Sequence, residues 1–405
     1  MTTSPPRGNG TQLGLALAAF TATFYGWALL GPLGPDLQED LGLSDVQLSI
    51  AVAVPVLLGS IMRIPMGVLA ERYGGRAVFA ALLAYSIVPL VVLGFVHDSF
   101  GAIIVLGFLL GFAGASFAVG VPFVNRWYPP ERQGAALGIY GAGMGGTVLA
   151  GLTAPRIADG AGMSAAFFVA AGLIAVVLVA WIALARDAPG PRKAVSMRDP
   201  VAVLGTGGRA WALVLFYFLA FGGFVAMYLY LPKLLTGIHD LEKTDAGARA
   251  AGFALLAVIG RPLGGVAADR LGAERVLRVC FAAVLVLAVG LAIGYESMPA
   301  LTVCCLTMAL FLGLGTGAVF KLVPVWYPDK VGAVTGVVGA AGGLGGFFPP
   351  LVMGVVKSAT GGYAVGFLLM GAVAVACLVV LAALKGTGPA RSGVAGSRRA
   401  DARQA

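Results

Sequence analysis

The sequence predicts an all-α membrane protein in which twelve transmembrane helices form two six-helix bundles. Of its 405 residues, 59% are hydrophobic and only 11% are charged, whereas soluble domains carry about 25% charged residues. Apolar stretches of about 20 residues recur from end to end, and this is the length that a helix needs to cross a bilayer. The stretches are continuous rather than alternating, which favours helices over a membrane barrel.

The predicted helices fall into two groups of six. The longest polar interval between apolar spans, 186–209, follows the sixth span and is interpreted as a cytoplasmic linker between bundles at 13–185 and 210–385. Polar tails are predicted at 1–12 and 386–405. The twelve spans are predicted at 13–34, 47–70, 76–96, 100–125, 134–156, 163–185, 210–235, 249–268, 275–295, 299–324, 332–356 and 363–384.

The placement of positive charge indicates the orientation in the membrane. The net charge is +9, and 19 of the 27 Lys and Arg residues lie in segments on the same side as the N-terminus. Loops on the opposite side hold five, and three lie within apolar spans. Because short cytoplasmic loops are rich in Lys and Arg, both termini are predicted to be cytoplasmic in a multi-pass plasma membrane protein. The lipid bilayer, rather than nucleic acid, accounts for this charge.

The remaining reactive side chains do not indicate an enzyme. The four cysteines all lie in apolar spans, which favours core positions over disulfides or a metal site: Cys280, Cys304, Cys305 and Cys377. No spacing of catalytic acids, histidines or nucleophiles is visible, and no cofactor is expected.

The two halves of the chain repeat each other at an offset of 198 residues. The stretch RIPMGVLAERYGGR begins at Arg63 and RPLGGVAADRLGAER begins at Arg261. A second pair of stretches follows, WYPPERQGAALGIYGAGMGG and WYPDKVGAVTGVVGAAGGLGG, in which four glycines of each half match at the same offset. A long internal repeat in a helical membrane protein is typical of secondary transporters, whose substrate site lies near the midplane where the halves meet.

The loop after the second span, and its copy after the eighth, resembles the signature loop of the major facilitator superfamily. The resemblance covers nearly the whole chain in span count, linker and duplicated motif. It implies that the loop residues act as a conformational gate, in which charge pairs at helix ends form in one state of the transport cycle and break in the other. The residues that match this gate are Gly67, Glu71, Arg72, Arg76, Gly265, Asp269, Arg270 and Arg275.

Three cations lie inside apolar spans, and every acidic residue lies in a loop or at a helix end. They are Arg63, Arg261 and Lys321. A charge at this depth costs about 2.5–3.5 kcal/mol by insertion scales, so it must face the bundle interior and have a partner. The absence of acidic residues inside the spans favours a transported anion, which the planar guanidinium fork suits. Snorkelling and pairing with backbone carbonyls remain the alternatives.

Other residues are predicted to complete the site. Phe117 and Phe221 are candidate walls of a narrow slot, and Tyr217 lies one helical turn before Phe221, with ordinary helix packing as the alternative for each ring. Small residues four apart allow close helix approach and leave backbone N–H groups beside a substrate. The glycines in question are Gly141, Gly145, Gly339 and Gly343.

These stretches together resemble the nitrate/nitrite porter family of that superfamily. The residues that carry the resemblance are 318–350, which match its second glycine-rich signature, 217–224, which match its seventh helix, and GASFAVG around Phe117. It implies that Arg63 and Arg261 are paired anion-binding arginines and that the three aromatic residues contact the anion. The first signature departs from the family because 141–147 read GAGMGGT, without the asparagine, and Thr147 is the candidate substitute.

The expected function is secondary transport of nitrate and/or nitrite by a monomeric carrier. Antiport is preferred over proton symport, because no Asp, Glu or His lies within a span and His97 and His239 map to loops. Lys321 is interpreted as a residue that tunes anion affinity, with snorkelling as the alternative. The other transport hypothesis is a carrier of another small anion such as formate, oxalate, cyanate or a monocarboxylate, and a sensor or channel is the alternative from another class.

Overall fold

The computed structural model describes residues 8–190, 196, 199–327 and 331–384. Residues 1–7 and 386–405 of the predicted tails, and 191–195, 197 and 198 of the predicted linker, lie outside the described residues. The described part of the chain is almost entirely helical and contains no strand. The all-α prediction is therefore confirmed.

In the described part of the chain twelve long helical segments follow one another, and between them lie the short helices Gly34–Leu41 and Asp199–Ala202 and the 3₁₀ helix Val203–Thr206. Helices α4 and α5 each contain a short 3₁₀ segment, Gly111–Ala115 in α4 and Ala142–Gly145 in α5. The bounds are α1 Gly10–Trp27, α2 Asp45–Tyr73, α3 Gly75–Val96, α4 Phe100–Leu110 and Ser116–Trp127, α5 Pro130–Gly141 and Gly146–Ala161, α6 Met163–Leu184, α7 Gly208–His239, α8 Lys243–Leu271, α9 Ala273–Gly294, α10 Met298–Trp326, α11 Val331–Thr360 and α12 Ala364–Ala383.

Within the described residues, eleven segments, α2 to α12, are long and apolar enough to cross a membrane. Helix α1 is not among them; it has 18 residues and ends at Trp27, whereas the sequence predicted a span to residue 34. The chain turns at 28–33 and begins the short helix Gly34–Leu41 there. Since Pro35 lies at the start of that helix, the proline begins a new helix rather than continuing the first.

Glycines and a cap define the ends of the repeat helices. Gly74 and Gly272 lie at the 198-residue offset, and both adopt a positive φ, 97° and 88°, at the turns from α2 to α3 and from α8 to α9. A residue with a side chain is strained there, so glycine permits the same tight turn in both halves. The start of α2 carries a capping box, in which the Ser44 hydroxyl accepts from the Gln47 N–H at 3.2 Å.

The helices cross back and forth between two faces. We call the face at which α1 begins the tail face and the opposite one the far face. At the tail face, Gln12 at the start of α1 donates to the Leu184 carbonyl at the end of α6 at 3.0 Å. At the far face, a ring nitrogen of His239 at the end of α7 lies 3.0 Å from the Tyr295 carbonyl after α9.

The two bundles meet along two seams, α2 against α11 and α5 against α8. Glycines allow the backbones to come close at both seams. A Cβ added at Gly354 of α11 would come within 2.2 Å of the Ser49 hydroxyl on α2, and one added at Gly247 of α8 would come within 2.7 Å of the Gly151 carbonyl on α5. Small residues are how membrane helices pack closely, and the seams place both halves around one central space.

Candidate functional site

The two arginines of the repeat lie at the same depth on opposite sides of the central space. Arg63 and Arg261 each precede the tail-face end of their helix, Tyr73 or Leu271, by ten residues. At 1.5 Å per residue this places both about 15 Å from that end, near the middle of the membrane.

Arg63 is 3% exposed and reaches across to the other half. Its Nε donates to the Gly114 carbonyl in the 3₁₀ segment of α4 at 3.2 Å, and its Nη1 donates to the Gly339 carbonyl of α11 at 2.6 Å. Its guanidinium carbon lies 4.8 Å from the centre of the Phe221 ring on α7. Backbone carbonyls, one of the alternatives raised by the sequence, therefore take two of the five guanidinium N–H groups.

Arg261 is half-buried and reaches in the reverse direction, into the first half. Its guanidinium carbon lies 4.7 Å from the centre of the Phe117 ring on α4, and 5.6 Å from that of Phe320 on α10. Its Nη1 lies 2.7 Å from the thioether sulfur of Met144 on α5, which is a weak acceptor. Each arginine thus rests on an aromatic ring supplied by the opposite half.

Neither arginine forms an ion pair with a carboxylate of the described residues, where the ion pairs involve other cations. Their side chains border one central pocket, and they pack so closely with the other lining residues that no water-sized cavity is left. The lining residues are Phe20, Phe24, Arg63, Phe117, Met144, Tyr217, Phe221 and Arg261. Five of these eight are among the residues predicted from the sequence.

The aromatic rings form stacked pairs on both sides of the pocket. Tyr217 and Phe221 stack on each other with centroids 5.2 Å apart and planes 3° apart, as expected for residues one turn apart on α7. Phe117 stacks on Tyr140 with centroids 5.8 Å apart. Gly342 gives the first pair its room, because a Cβ there would lie 2.2 Å from the Tyr217 ring.

The four predicted glycines have different surroundings. A Cβ added at Gly141 or Gly339 would lie 3.7 Å from Arg261 or Arg63 respectively, so both border the arginines. Gly343 instead packs against Ser60 of α2, where a Cβ would come within 2.0 Å of the hydroxyl. Gly145 has no atom within 4 Å of such a Cβ. Two of the four therefore lie beside the arginines.

Lys321 lies apart from the pocket lining. Its ammonium group pairs with the carboxylate of Asp269 in the last turn of α8, and both side chains are about half exposed. At Gly317, helix α10 packs directly on the backbone of α8 at Arg261. Lys321 lies one turn after Gly317, which brings it close to the end of α8 where Asp269 lies. The acidic partner lies at a helix end within reach of the lysine, which the count of acids inside spans could not reveal.

The predicted gate residues lie toward the tail-face ends of α2 and α8 and in the first turns of α3 and α9. Arg76 joins α3 to the chain after α6, since its N–H donates to Asp187 at 2.9 Å and its Nη2 donates to the Ile182 carbonyl at 3.0 Å. Arg72 lies over the Tyr73 ring at 5.4 Å. Asp269 pairs with Lys321. The others are Gly67 beside Ala118, half-buried Glu71 and Gly265, and exposed Arg270 and Arg275.

Sequence reasoning missed five residues around the arginines. Phe20 and Phe24 are one turn apart on α1, a spacing that could have indicated a shared face. Met144 contacts Arg261, whereas the hydroxyl of Thr147, the residue suggested by the sequence, donates to the Met144 carbonyl at 2.8 Å. Tyr140 and Phe320 back the Phe117 ring, and no sequence signal separates them from other core rings.

This arrangement can hold a small anion. Two guanidinium groups from opposite halves keep N–H donors unused, and the pocket supplies no negative charge. Aromatic faces stabilise the guanidinium groups by cation–π contact, yet leave their net charge of two uncompensated. A planar oxyanion would satisfy both forks.

Comparison with known proteins identifies relatives over most of the chain. The family model described as Major Facilitator Superfamily matches residues 15–293 and 213–404. The "Probable nitrate/nitrite transporter NarK2" of Mycobacterium tuberculosis is 39% identical over 92% of this chain and 95% of its own. The "Nitrite extrusion protein" of Bacillus subtilis is 37% identical over 91% and 93%, and the "Probable nitrate transporter NarT" of Staphylococcus haemolyticus is 36% identical over 89% and 93%.

A solved structure shares the fold at lower sequence identity. It is a crystal structure of a bacterial homologue of the human lysosomal transporter Spinster in an inward-facing and occupied conformation. The TM-score is 0.69 at 18% identity, and the match covers 92% of this chain and 94% of that one.

Proposed function

The chain belongs to the major facilitator superfamily and, within it, to the nitrate/nitrite porter family, and we propose on this premise that it carries nitrate and/or nitrite across the membrane by alternating access. The observation that carries the proposal is the pair of guanidinium groups, Arg63 and Arg261, that face one pocket without a carboxylate partner among the described residues. The names of the relatives support the choice of nitrate and nitrite among small anions.

The anion would be held between the two forks. Each guanidinium presents parallel N–H donors that suit two oxygens of a planar anion. Phe117 and Phe221 lie against the arginines from opposite halves, so the flat faces of the anion would meet flat rings. Since the pocket leaves no water-sized cavity as it stands, the side chains must separate by a small movement to admit the anion.

The charges of the two arginines would also favour closure of the two halves when an anion is bound. Two like charges at short distance in a medium of low dielectric repel each other, and a bound anion offsets this repulsion. The loaded carrier therefore closes over its substrate more readily than the empty one. We favour exchange of one anion for another on this ground, with proton symport as the alternative mode.

The orientation follows from the charge distribution. The tail face would be cytoplasmic, because 19 of the 27 Lys and Arg residues lie in segments on that side. The carrier would then sit in the plasma membrane with both termini inside. One chain contains both arginines and both seams, so a monomer would suffice for transport.

Anion binding to the purified protein tests the proposal. Titration calorimetry with nitrate, nitrite, formate, oxalate, cyanate and chloride should give the tightest binding for nitrate or nitrite. Arg63→Ala and Arg261→Ala should each abolish that binding, while Arg249→Ala, which removes one positive charge on the far face, should leave it unchanged. Tighter binding of formate or oxalate than of either nitrogen oxyanion would reassign the substrate.

A further inference from the structure

The far-face contacts between the halves show a strict separation of charge. Asp45, at the start of α2, lies 3.2 Å from the ammonium group of Lys233 on α7. Lys243, at the start of α8, lies 3.0 Å from Asp36 and 2.5 Å from Glu39 of the short helix Gly34–Leu41. Every ion pair that joins the halves in the described part of the chain thus takes its acid from the first half and its base from the second.

The Asp45–Lys233 pair is partly shielded from water, whereas Glu39 at the second pairing is exposed. The Lys233 and Asp45 side chains are 18% and 26% exposed. Gln38 supports the same carboxylate, since its Nε2 donates to the Asp45 Oδ1 at 3.1 Å. At the second position, the hydrogen bond from Lys243 lowers the pKa of the exposed Glu39 carboxyl. Partly buried pairs with extra hydrogen bonds are worth more than fully exposed ones.

The Asp45–Lys233 pair lies over the packed end of the α2–α11 seam. Ser49, one turn after Asp45, is fully buried and packs against Gly354 of α11. The close glycine contacts between α2 and α11 continue from there to the level of the arginines, where Gly346 packs on Val56 and Gly343 on Ser60. An anion that enters or leaves at the far face can reach the arginines only after the halves separate there.

We propose that Asp36, Glu39 and Asp45 with Lys233 and Lys243 form an ionic lock that holds the far face closed and must break in each transport cycle. This proposal rests on the alternating-access function. The lock differs from the loop motif, whose residues lie at the tail face, and from the anion pocket, none of whose lining residues belongs to it. It consists of two spatially separate pairings, one centred on Lys233 and one on Lys243.

A cysteine at position 49 reports opening of the far face. In a background with the four native cysteines replaced by serine or alanine, Ser49→Cys is reacted with a membrane-impermeant maleimide in nanodiscs, without any transported anion. Asp45→Asn, Lys233→Met and Lys243→Met should each raise the labelling rate about two- to fivefold, the range expected for one ion pair. Asp45→Asn/Lys233→Met should label no faster than either single variant, whereas Lys233→Met/Lys243→Met should multiply the two effects.

The chain supplies a matched control on the same face. Arg249 pairs with Asp245 within α8 at 3.1 Å, so Asp245→Asn/Arg249→Met neutralises a pair that does not join the halves and should leave labelling unchanged. Higher ionic strength should also speed labelling of the Ser49→Cys protein that keeps all of its ion pairs, because salt screens them. It should have no such effect in Asp45→Asn/Lys233→Met/Lys243→Met, which lacks the pairs.

Labelling at the parent rate in all three single variants, or additive effects within the Asp45–Lys233 pair, would overturn the lock. Because the labelling needs no substrate, these outcomes are independent of the anion-binding titration. Failure of nitrate and nitrite to bind would refute the proposed substrate while leaving the labelling result intact.

Discussion

The arginines at the centre of this protein are each supported by residues from the opposite half. Arg63 of the first half donates to Gly339 and lies over Phe221, both of the second half. Arg261 of the second half lies over Phe117 of the first. A buried positive charge without a partner costs several kcal/mol, and these contacts reduce the cost without neutralising the charge. Affinity for an anion therefore depends on geometry as well as charge.

Replacement of either arginine by lysine tests this dependence on geometry. In Arg63→Lys and Arg261→Lys the charge remains but the planar fork is lost, and with it about 1.5–3 kcal/mol of charge-assisted hydrogen bonding, so nitrate binding should weaken about ten- to a hundredfold. Titration calorimetry on the purified variants measures the change. Wild-type affinity in both lysine variants would refute the paired-fork site.

Lys321 should behave differently from the two arginines. Because its ammonium group pairs with Asp269 outside the pocket lining, Lys321→Met should keep nitrate affinity within about twofold, less than the loss of even one modest hydrogen bond at the site. The same titration measures this. A loss of tenfold or more would support the interpretation made from the sequence, in which Lys321 tunes the affinity for the anion.

The residues that line the pocket were predictable in part. Arg63 and Arg261 stood out because charge is rare inside apolar spans, and the family resemblance led to Phe117, Tyr217 and Phe221. Phe20 and Phe24 belong to an ordinary apolar helix, where nothing separates a pocket wall from a packed core. Met144, which contacts Arg261, lies in the 3₁₀ segment Ala142–Gly145, and the sequence did not predict that segment.

Close glycine contacts hold α8 against α10 at the level of Arg261. A Cβ added at Gly264 would come within 2.0 Å of the Leu314 carbonyl, and one added at Gly317 within 2.0 Å of the Arg261 carbonyl. Backbone cannot move aside as a side chain can. The position of Arg261 therefore depends on glycines that do not themselves touch the pocket.

Gly264→Ala should destabilise the protein through this contact. Overpacking of a close helix pair costs about 1–3 kcal/mol, so the thermal midpoint of the purified protein should fall by several degrees. Gly252→Ala is the matched control on the same helix, since its Cβ would meet no atom within 4 Å, and it should leave the midpoint unchanged or raise it through better helix propensity. Equal midpoints for the two variants would contradict the close-contact explanation.

Helices were predictable to within a few residues at most of their ends. Apolar length identifies a span, and the duplicated motif identifies the turns at Gly74 and Gly272. The end of α1 was wrong by seven residues, because 28–33 are as apolar as the helix before them and composition cannot show a turn among apolar residues. The 3₁₀ segments of α4 and α5 were not predicted either, because they too consist of apolar residues and glycine. The corresponding helices of the second half, α10 and α11, contain no 3₁₀ segment among the described residues.

At the scale of the whole molecule, the ion pairs that join the halves and the close glycine contacts between α2 and α11 lie between the level of the arginines and the far face. Ser49 is buried against Gly354 near one end of the α2–α11 seam, whereas a Cβ at Gly336 meets nothing within 4 Å near the other. If two rigid bundles rock about the level of the arginines, the far face would open and the tail face would close. In the proposed mechanism, repulsion between the arginines would make this movement harder when no anion is bound.

Antiport predicts a dependence on the anion at the opposite side. In proteoliposomes, uptake of labelled nitrate should be several times faster when nitrite or nitrate is present inside than when the vesicles contain only impermeant anions. A protonophore should leave this counterflow unchanged, because the pocket lining contains no Asp, Glu or His. Uptake that needs a proton gradient and shows no acceleration by internal anion would establish symport instead.

Because each arginine is supported by residues of the opposite half, neither bundle alone contains the complete proposed anion site. If the gene were cut within the interval between α6 and α7, the first polypeptide would keep Arg63 without the Gly339 carbonyl and Phe221 ring on which it rests, and the second would keep Arg261 without Phe117 and Met144. Produced separately, the fragments should not retain nitrate. Produced together, they should recover it by complementation, as one would expect if duplication of an ancestral bundle made each copy dependent on the other.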